Sequence, residues 1–188
     1  MLNRIVVLFF LGAPLAIASD TTATLDVAPQ SALTYHVVHK FHEMTGVSHQ
    51  IQGRARLLTD GTLQAMVRVP VSSFDSGNGN RDEHMMETVE ANKYPLVEFK
   101  GTANGVAMAG PFPAHREVKL NGELTFHGVK RPVEVPLMVT FADAKHAAAK
   151  GKFALSLTAF NVDRPSLLFV PIDDTMDMTV NLAVGVAQ

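Results

Sequence analysis

The sequence predicts an all-β chain whose antiparallel sheet folds on itself around one apolar interior, with a single short helix. Three observations predict it. Apolar and polar residues alternate with period two through seven or eight segments. Short turns join most of them, with Asp60-Gly61 and His127-Gly128 as hairpin signals. Parallel strands would need helical crossovers of about a dozen residues, and only one stretch carries helix signals. Each strand has one apolar face, so the sheet closes as a barrel or stacks as a sandwich, and periodicity alone does not choose.

The first 18 residues read as a secretory leader. Arg4 supplies a basic start, Ile5–Leu11 an apolar stretch, and Ala16-Ile17-Ala18 a small-residue cleavage site before Ser19. The apolar run is too short for a membrane anchor. The expected mature chain, 19–188, is one domain, processed near Ala18-Ser19 and located in the periplasm or secreted.

Within it, Thr22–Val27 is the first expected strand. Leu33, Tyr35 and Val37 share the bulky face of a second. Phe41–Ser48 reads as a connection. Ile51–Leu57 and Leu63–Val69 alternate on either side of Asp60-Gly61, with Arg54 and Arg56 facing outward. Val97 and Phe99 begin another strand, and Gly101–Met108 is ambiguous because of its two glycines. Val118–Phe126 and Val133–Phe141 form a long hairpin, with Pro132 and Pro136 on its outer side. Proline donates nothing to a ladder, so that strand is expected at an edge or bulge. Phe153–Leu157 and Met176–Val186 complete the set.

The helix is expected near 81–92. Asn80 suits an N-cap, Glu83 the return position of a capping box, and Tyr94-Pro95 a stop. A lone helix in a β protein usually plugs or lids something.

The formal net charge is −2, which disfavours nucleic acid as a partner. The chain has no cysteine, so there is no disulfide, thiol nucleophile or metal thiolate. His36, His39 and His42 are three apart, a spacing that alternates faces in a strand, so ordinary edge histidines account for them better than a metal site. Arg81-Asp82-Glu83-His84 raises acid–base catalysis, but Ser72, Ser73 and Ser76 lie in no nucleophile elbow. Gly77-Asn78-Gly79-Asn80 lacks the lysine of a phosphate loop and reads as a turn. The apolar faces are the most abundant feature. They either fill the interior or line a cavity for a long apolar ligand. Each buried methylene is worth about 0.8 kcal/mol, so about ten of them support micromolar binding without any special polar residue.

Three ordered stretches then carry a resemblance. They are Ser73-Phe74-Asp75-Ser76-Gly77-Asn78 running into Arg81-Asp82-x-His84; Lys93-Tyr94-Pro95 with Phe99-Lys100; and Gly122-Glu123-Leu124-Thr125-Phe126-His127-Gly128-Val129-x-x-Pro132. The chain resembles the YceI-like family of exported bacterial proteins, also called polyisoprenoid-binding. The resemblance implies an eight-stranded, antiparallel, lipocalin-like barrel with an apolar cavity for a polyprenyl lipid, an isoprenoid quinone or another long-chain amphiphile. It implies no enzyme and no other cofactor or metal, and some members are dimers, which leaves a homodimer open. It puts Arg81, Asp82 and His84 in the family's motif before the short helix. One departure is the short run from His84 to Pro95, with Met85, Met86 and Val89 where many relatives carry aromatics.

The expected function is therefore a carrier or sequestering protein for a long-chain lipid. Shared inward parity nominates Phe99, Leu124, Phe126, Val135, Leu137, Phe153 and Leu155 as the lining. The rivals are a hydrolase-type enzyme using Asp82 and His84, a structural or stress-response barrel without cargo, and an outer-membrane barrel. The last would wear aromatic girdles, whereas this chain has no Trp, two Tyr and outward Arg54, Arg56, Lys119 and Glu134, so no stable membrane insertion is expected.

Overall fold

A computed structural model describes residues 20–40, 42–167 and 170–187, so the expected leader lies outside the described residues. In chain order the strands are β1 (Thr21–Val27), β2 (Ala32–His39), β3 (His42–Ser48), β4 (Gln52–Leu58) and β5 (Leu63–Pro70). The helix α1 (Gly79–Thr88) follows, then β6 (Leu96–Ala103), β7 (Ala114–Phe126), β8 (Val129–Phe141) and β9 (His146–Ser156). A two-stranded ribbon, β10 (Ser166–Leu167) with β11 (Val170–Pro171), precedes β12 (Thr175–Val186).

These segments make a closed, eight-stranded antiparallel barrel, because two pairs of them are single strands with a bend. β1 and β2 run in succession along β12, with Leu25 opposite Val186 and Val37 opposite Met176. β3 and β4 run in succession along that composite strand. The other neighbours follow sequence order from β4 through β9 to β12. The meander explains the short turns: each strand pairs with the next, so no connection crosses the barrel.

Buried serines mend the bends. Ser31, 1% exposed, lies between β1 and β2. Its hydroxyl donates to the Ala183 carbonyl at 3.3 Å and accepts from the Ala183 N–H at 3.0 Å. Ser48, the last residue of β3 before the bend into β4, shares a 2.7 Å hydrogen bond with the Ser73 hydroxyl and accepts from the Gln50 N–H. A hydroxyl can donate and accept at once, so it replaces ladder contacts that the bend removes.

Three expectations are corrected. The stretch read as a connection is a strand, β3, with Met44, Gly46 and Ser48 turned inward. Gly46 faces Tyr35 across the ladder, and the Tyr35 ring occupies the space a side chain at 46 would need. β8 lies between β7 and β9 rather than at a sheet edge, yet its pairing with β9 covers only Leu137–Phe141. Pro132 and Pro136 fall in the half without a β9 partner, where a missing N–H costs no ladder bond. The barrel is therefore splayed along part of one seam.

The helix begins two residues earlier and ends four earlier than expected. Asn78, not Asn80, is the N-cap, its side chain accepting from the Arg81 N–H at 3.2 Å. Glu83 therefore lies beyond the capping-box position. The end is set by Glu90, at φ 47°, before Tyr94-Pro95 is reached. The Ala91 N–H returns to the Met86 carbonyl and the Glu90 N–H to that of Glu87, which is the Schellman pattern.

Two ends result. The β2–β3 turn, α1, the His127-Gly128 turn and the segment between β9 and β12 gather at one end, the mouth. The turn at Asp60-Gly61 and the connections 104–113 and 142–145 lie at the other, the base. Two apolar clusters divide the interior accordingly. One contains Tyr35, Phe74, Phe126, Leu155 and Met178; the other contains Leu57, Val118, Leu137, Phe141 and Val180.

Two glycines give opposite expectations. Gly122 on β7 pairs with Gly101, and a Cβ there would run into the Lys100 carbonyl and the Gly101 Cα. Gly122→Ala should cost about 1–3 kcal/mol in urea unfolding, because backbone has to move. A Cβ at Gly79, in the first turn of α1, finds open space. Gly79→Ala should stabilise by about 0.4–1 kcal/mol in the same measurement.

Candidate functional site

A cavity of about 590 Å³ opens at the mouth. Its wall is built from inward positions of strands in the mouth half. β2 contributes Leu33, Tyr35, Val37 and His39, and β3 contributes His42 and Met44. Val97, Phe126 and Leu155 come from β6, β7 and β9, and Met176 and Met178 from β12. Val71 and Phe74, after β5, close one side together with Met85 and Val89 of the helix region. Pro165, Ser166 and Ile172 approach from the segment before β12.

Polar side chains on this lining are concentrated at the rim. Asn78, Asn80, Arg81, His84, Glu87 and Thr88 all come from α1 and its cap. Their position follows from a chain of local bonds. β3 and the segment after β5 meet through paired backbone bonds between Val47 and Asp75, at 2.9 and 3.0 Å. The Asp75 carboxylate accepts from the Gly77 N–H at 2.7 Å. The Asp82 carboxylate accepts from the Ser76 N–H at 3.1 Å and so folds the helix back onto its own entry loop.

The electrostatics of the rim are mild. Burial pushes the Tyr35 phenol up from its ordinary value; the Asp82 charge adds to that and Arg81 opposes it. Arg81 is half-buried. His84 lies 3.4 Å from Glu87 on the exposed side of the helix. His39 is 3% exposed and donates from Nε2 to the Val170 carbonyl at 3.0 Å. Among the described residues, no cluster of three or more His, Asp or Glu has the geometry of a metal site.

The nominated lining residues separate by level. Phe126 and Leu155 line the cavity. Leu124 belongs to the mouth-side cluster without reaching the cavity wall. Phe99 and Phe153 pack against both clusters. Val135 and Leu137 lie in the base cluster. Of the motif residues, Arg81 and His84 reach the cavity and Asp82 does not. Asp82 and His84 are not joined: one holds Ser76 and the other faces Glu87.

Several lining residues were not nominated. His39 and His42 stand directly opposite each other across the tight β2–β3 hairpin, rings near parallel at 6.5 Å between centroids. The three-residue spacing hides this, because a hairpin reverses direction between them. A reversal of strand direction between His39 and His42 is the reading that would have found the pair. Met44, Met176 and Met178 lie on apolar parities of β3 and β12, the former hidden because β3 was not read as a strand.

The segment after β9 is tied down over the mouth by Asp174. Its carboxylate accepts from the Ser156 hydroxyl at 2.6 Å and the Thr158 N–H at 2.8 Å. A second tie runs through His127, whose ring bridges the Phe160 carbonyl at 3.0 Å and the Glu90 carboxylate at 3.1 Å.

The sequence profile of the YceI-like domain matches residues 24–184. The chain belongs to the YceI-like family. A polyisoprenoid binding domain from Saccharophagus degradans, implicated in plant cell wall breakdown, superposes with a TM-score of 0.72 at 15% identity. The match covers 88% of this chain and 100% of that one. BcnA of Burkholderia cenocepacia superposes with a TM-score of 0.69 at 18% identity, covering 84% of this chain and 99% of that one. At these identities the likeness is one of fold. No curated protein matches the chain.

The hydrogen bond from Ser156, and then that from the Thr158 N–H, hold the Asp174 carboxyl below the usual carboxylate range. A group whose pKa is depressed by folding contributes its stabilisation above the unfolded carboxylate pKa and loses it as pH falls through the folded value. The tie should therefore persist through mild acid and release only in strong acid. Asp174→Asn should speed amide exchange at Thr158 roughly fivefold at neutral pH and flatten the acid step, read by hydrogen–deuterium exchange.

Proposed function

We propose that this YceI-like protein is a periplasmic or secreted carrier that sequesters a polyisoprenoid or similar long-chain lipid, and that it works by binding rather than by catalysis. The observation that carries this reading is the cavity: about 590 Å³, walled mainly by aliphatic, aromatic and methionine side chains, with its polar groups gathered at the mouth on α1, on the His39–His42 pair and at Ser166. That is the shape an amphiphile needs. The tail exchanges water for the apolar wall at about 0.8 kcal/mol per methylene, and the head stays among Arg81, His84, Asn78 and Asn80. Met44, Met85, Met176 and Met178 adapt to a bent chain, since methionine is unbranched and polarizable. The family and the fold of its polyisoprenoid-binding relative support the lipid class. Export rests on the leader pattern alone and predicts a mature N-terminus at Ser19.

Native mass spectrometry of the exported protein, followed by organic extraction, should return one long-chain lipid per barrel. Met44→Lys puts an ammonium on the wall and should weaken lipid binding at least about tenfold while the protein remains folded by circular dichroism. An exported wild type that carries no lipid and takes up neither polyprenols nor quinones would overturn the carrier reading.

A further inference from the structure

We infer that Tyr35 is a specificity-determining residue of the cavity: its phenol donates a hydrogen bond to a carbonyl oxygen of the cargo and so selects an oxygenated lipid over a hydrocarbon. The inference rests on the carrier reading and adds the chemistry of the cargo's polar end to it.

Tyr35 is 8% exposed and lines the cavity from β2. Leu33 and Val37 flank it on the inner face of that strand, and Met178 stands beside it on β12. The Phe74 ring is 5.5 Å from its own. The phenol is thus a polar group set into an apolar stretch of wall. The other polar side chains of the lining stand on α1 and its cap, at His39 and His42, and at Ser166.

The place of the hydroxyl is built by a glycine and not by a polar partner. Gly46 is opposite Tyr35 on β3, and a Cβ there would collide with Cε1, Cζ and the hydroxyl oxygen of the ring. The polar end of the ring therefore lies over bare backbone. Among the described residues the hydroxyl has no hydrogen-bond partner, and it is not sealed from the cavity. A hydroxyl taken out of water without a new partner is destabilising, and phenylalanine would fill the same space without that cost. Cargo that supplies the missing bond accounts for the oxygen. Burial, and then the Asp82 charge, push the phenol up from its ordinary value, so the proton to be donated is held at neutral pH.

Arg81 decides the kind of partner. It lines the same cavity, is half-buried, and acts on the Tyr35 phenol against Asp82. Its guanidinium has no hydrogen bond or ion pair among the described residues. A guanidinium only donates. Two donors on one space match an oxygen with two lone pairs and no proton of its own. A carbonyl oxygen has that form, and a hydrocarbon end offers nothing to either group.

The test compares farnesylacetone, an isoprenoid methyl ketone, with the analogue in which C=CH2 replaces C=O. The two share length and shape and differ in the acceptor. Each is partitioned in radiolabelled form between cyclodextrin and the mature protein, wild type or Tyr35→Phe. The ratio of ketone affinity to hydrocarbon affinity should fall at least about threefold in Tyr35→Phe. The empty variant should melt at the wild-type temperature or above it, because the hydroxyl bonds to nothing in the protein. In the wild type, the carbonyl stretch of the bound, isotopically labelled ketone should lie below its frequency in hexane, a reading that needs no variant. A fall of that size together with the lowered stretch supports the inference. A smaller fall, a stretch no lower than in hexane, or a destabilised empty variant overturns it and leaves the carrier reading intact; a hydroxyl that merely holds water would shift both ligands alike. If neither ligand binds the wild type, the carrier reading falls and the inference with it.

Discussion

The interior depends on one seam. A sheet of this length has two edges, each a row of backbone groups with no partner, and an unsatisfied buried amide or carbonyl costs about 1–3 kcal/mol. Here the edges are joined to each other. β12 meets β1 near the base and β2 near the mouth, and the change of partner falls at Ala28–Ser31. Ala183 on β12 would lose both backbone bonds at that step. The Ala28 N–H and the Ser31 hydroxyl take them over. Without this repair the composite first strand could not follow β12 along its whole length. The barrel would then part on the side that carries Tyr35 and Val37.

At the mouth the opposite solution holds. The half of β8 that bears Pro132 and Pro136 has no β9 register. Its rim is secured by other groups. Arg131 donates from Nε to the Ala159 carbonyl at 2.9 Å, and His127 reaches the Phe160 carbonyl and Glu90. The left-handed turn at His127-Gly128, with φ 49° and 71°, points that ring back over the opening. A fully laddered barrel is narrow enough for side chains to fill it. Releasing one seam near the mouth leaves room there for the cavity, while the base holds its own apolar cluster.

This division explains what was legible in the sequence. Strand alternation reads directly as inward and outward faces, and the long β7–β8 hairpin and β12 follow it closely. The choice of barrel over sandwich was not legible from periodicity, since both bury one face per strand; the family resemblance supplied it. β3 was obscured because its inward residues include Gly46 and Ser48, small groups that make room for Tyr35 and mend a bend. The depth of the cavity was hidden for a different reason. Leu137 and Leu155 have the same parity and chemistry. Only their distance from the mouth separates a packed base residue from a wall residue, and parity carries no information about height along the barrel.

The conspicuous residues and the lining residues therefore do different work. Arg81-Asp82-x-His84 is the kind of charged stretch that suggests catalysis, yet Asp82 spends its carboxylate on the Ser76 N–H and Asn78 caps the helix. Asp75 turns the chain at Gly77 while its backbone clamps Val47. These groups need specific atoms at specific places, because a backbone N–H accepts no substitute for a well-aimed oxygen. A cavity wall has no such demand. Any side chain of suitable volume and low polarity serves, and Leu, Val, Met and Phe interchange at modest cost. A recognisable motif thus marks the joint that hangs α1 over the mouth, and the surface that would hold a lipid leaves only its pattern of apolar parity.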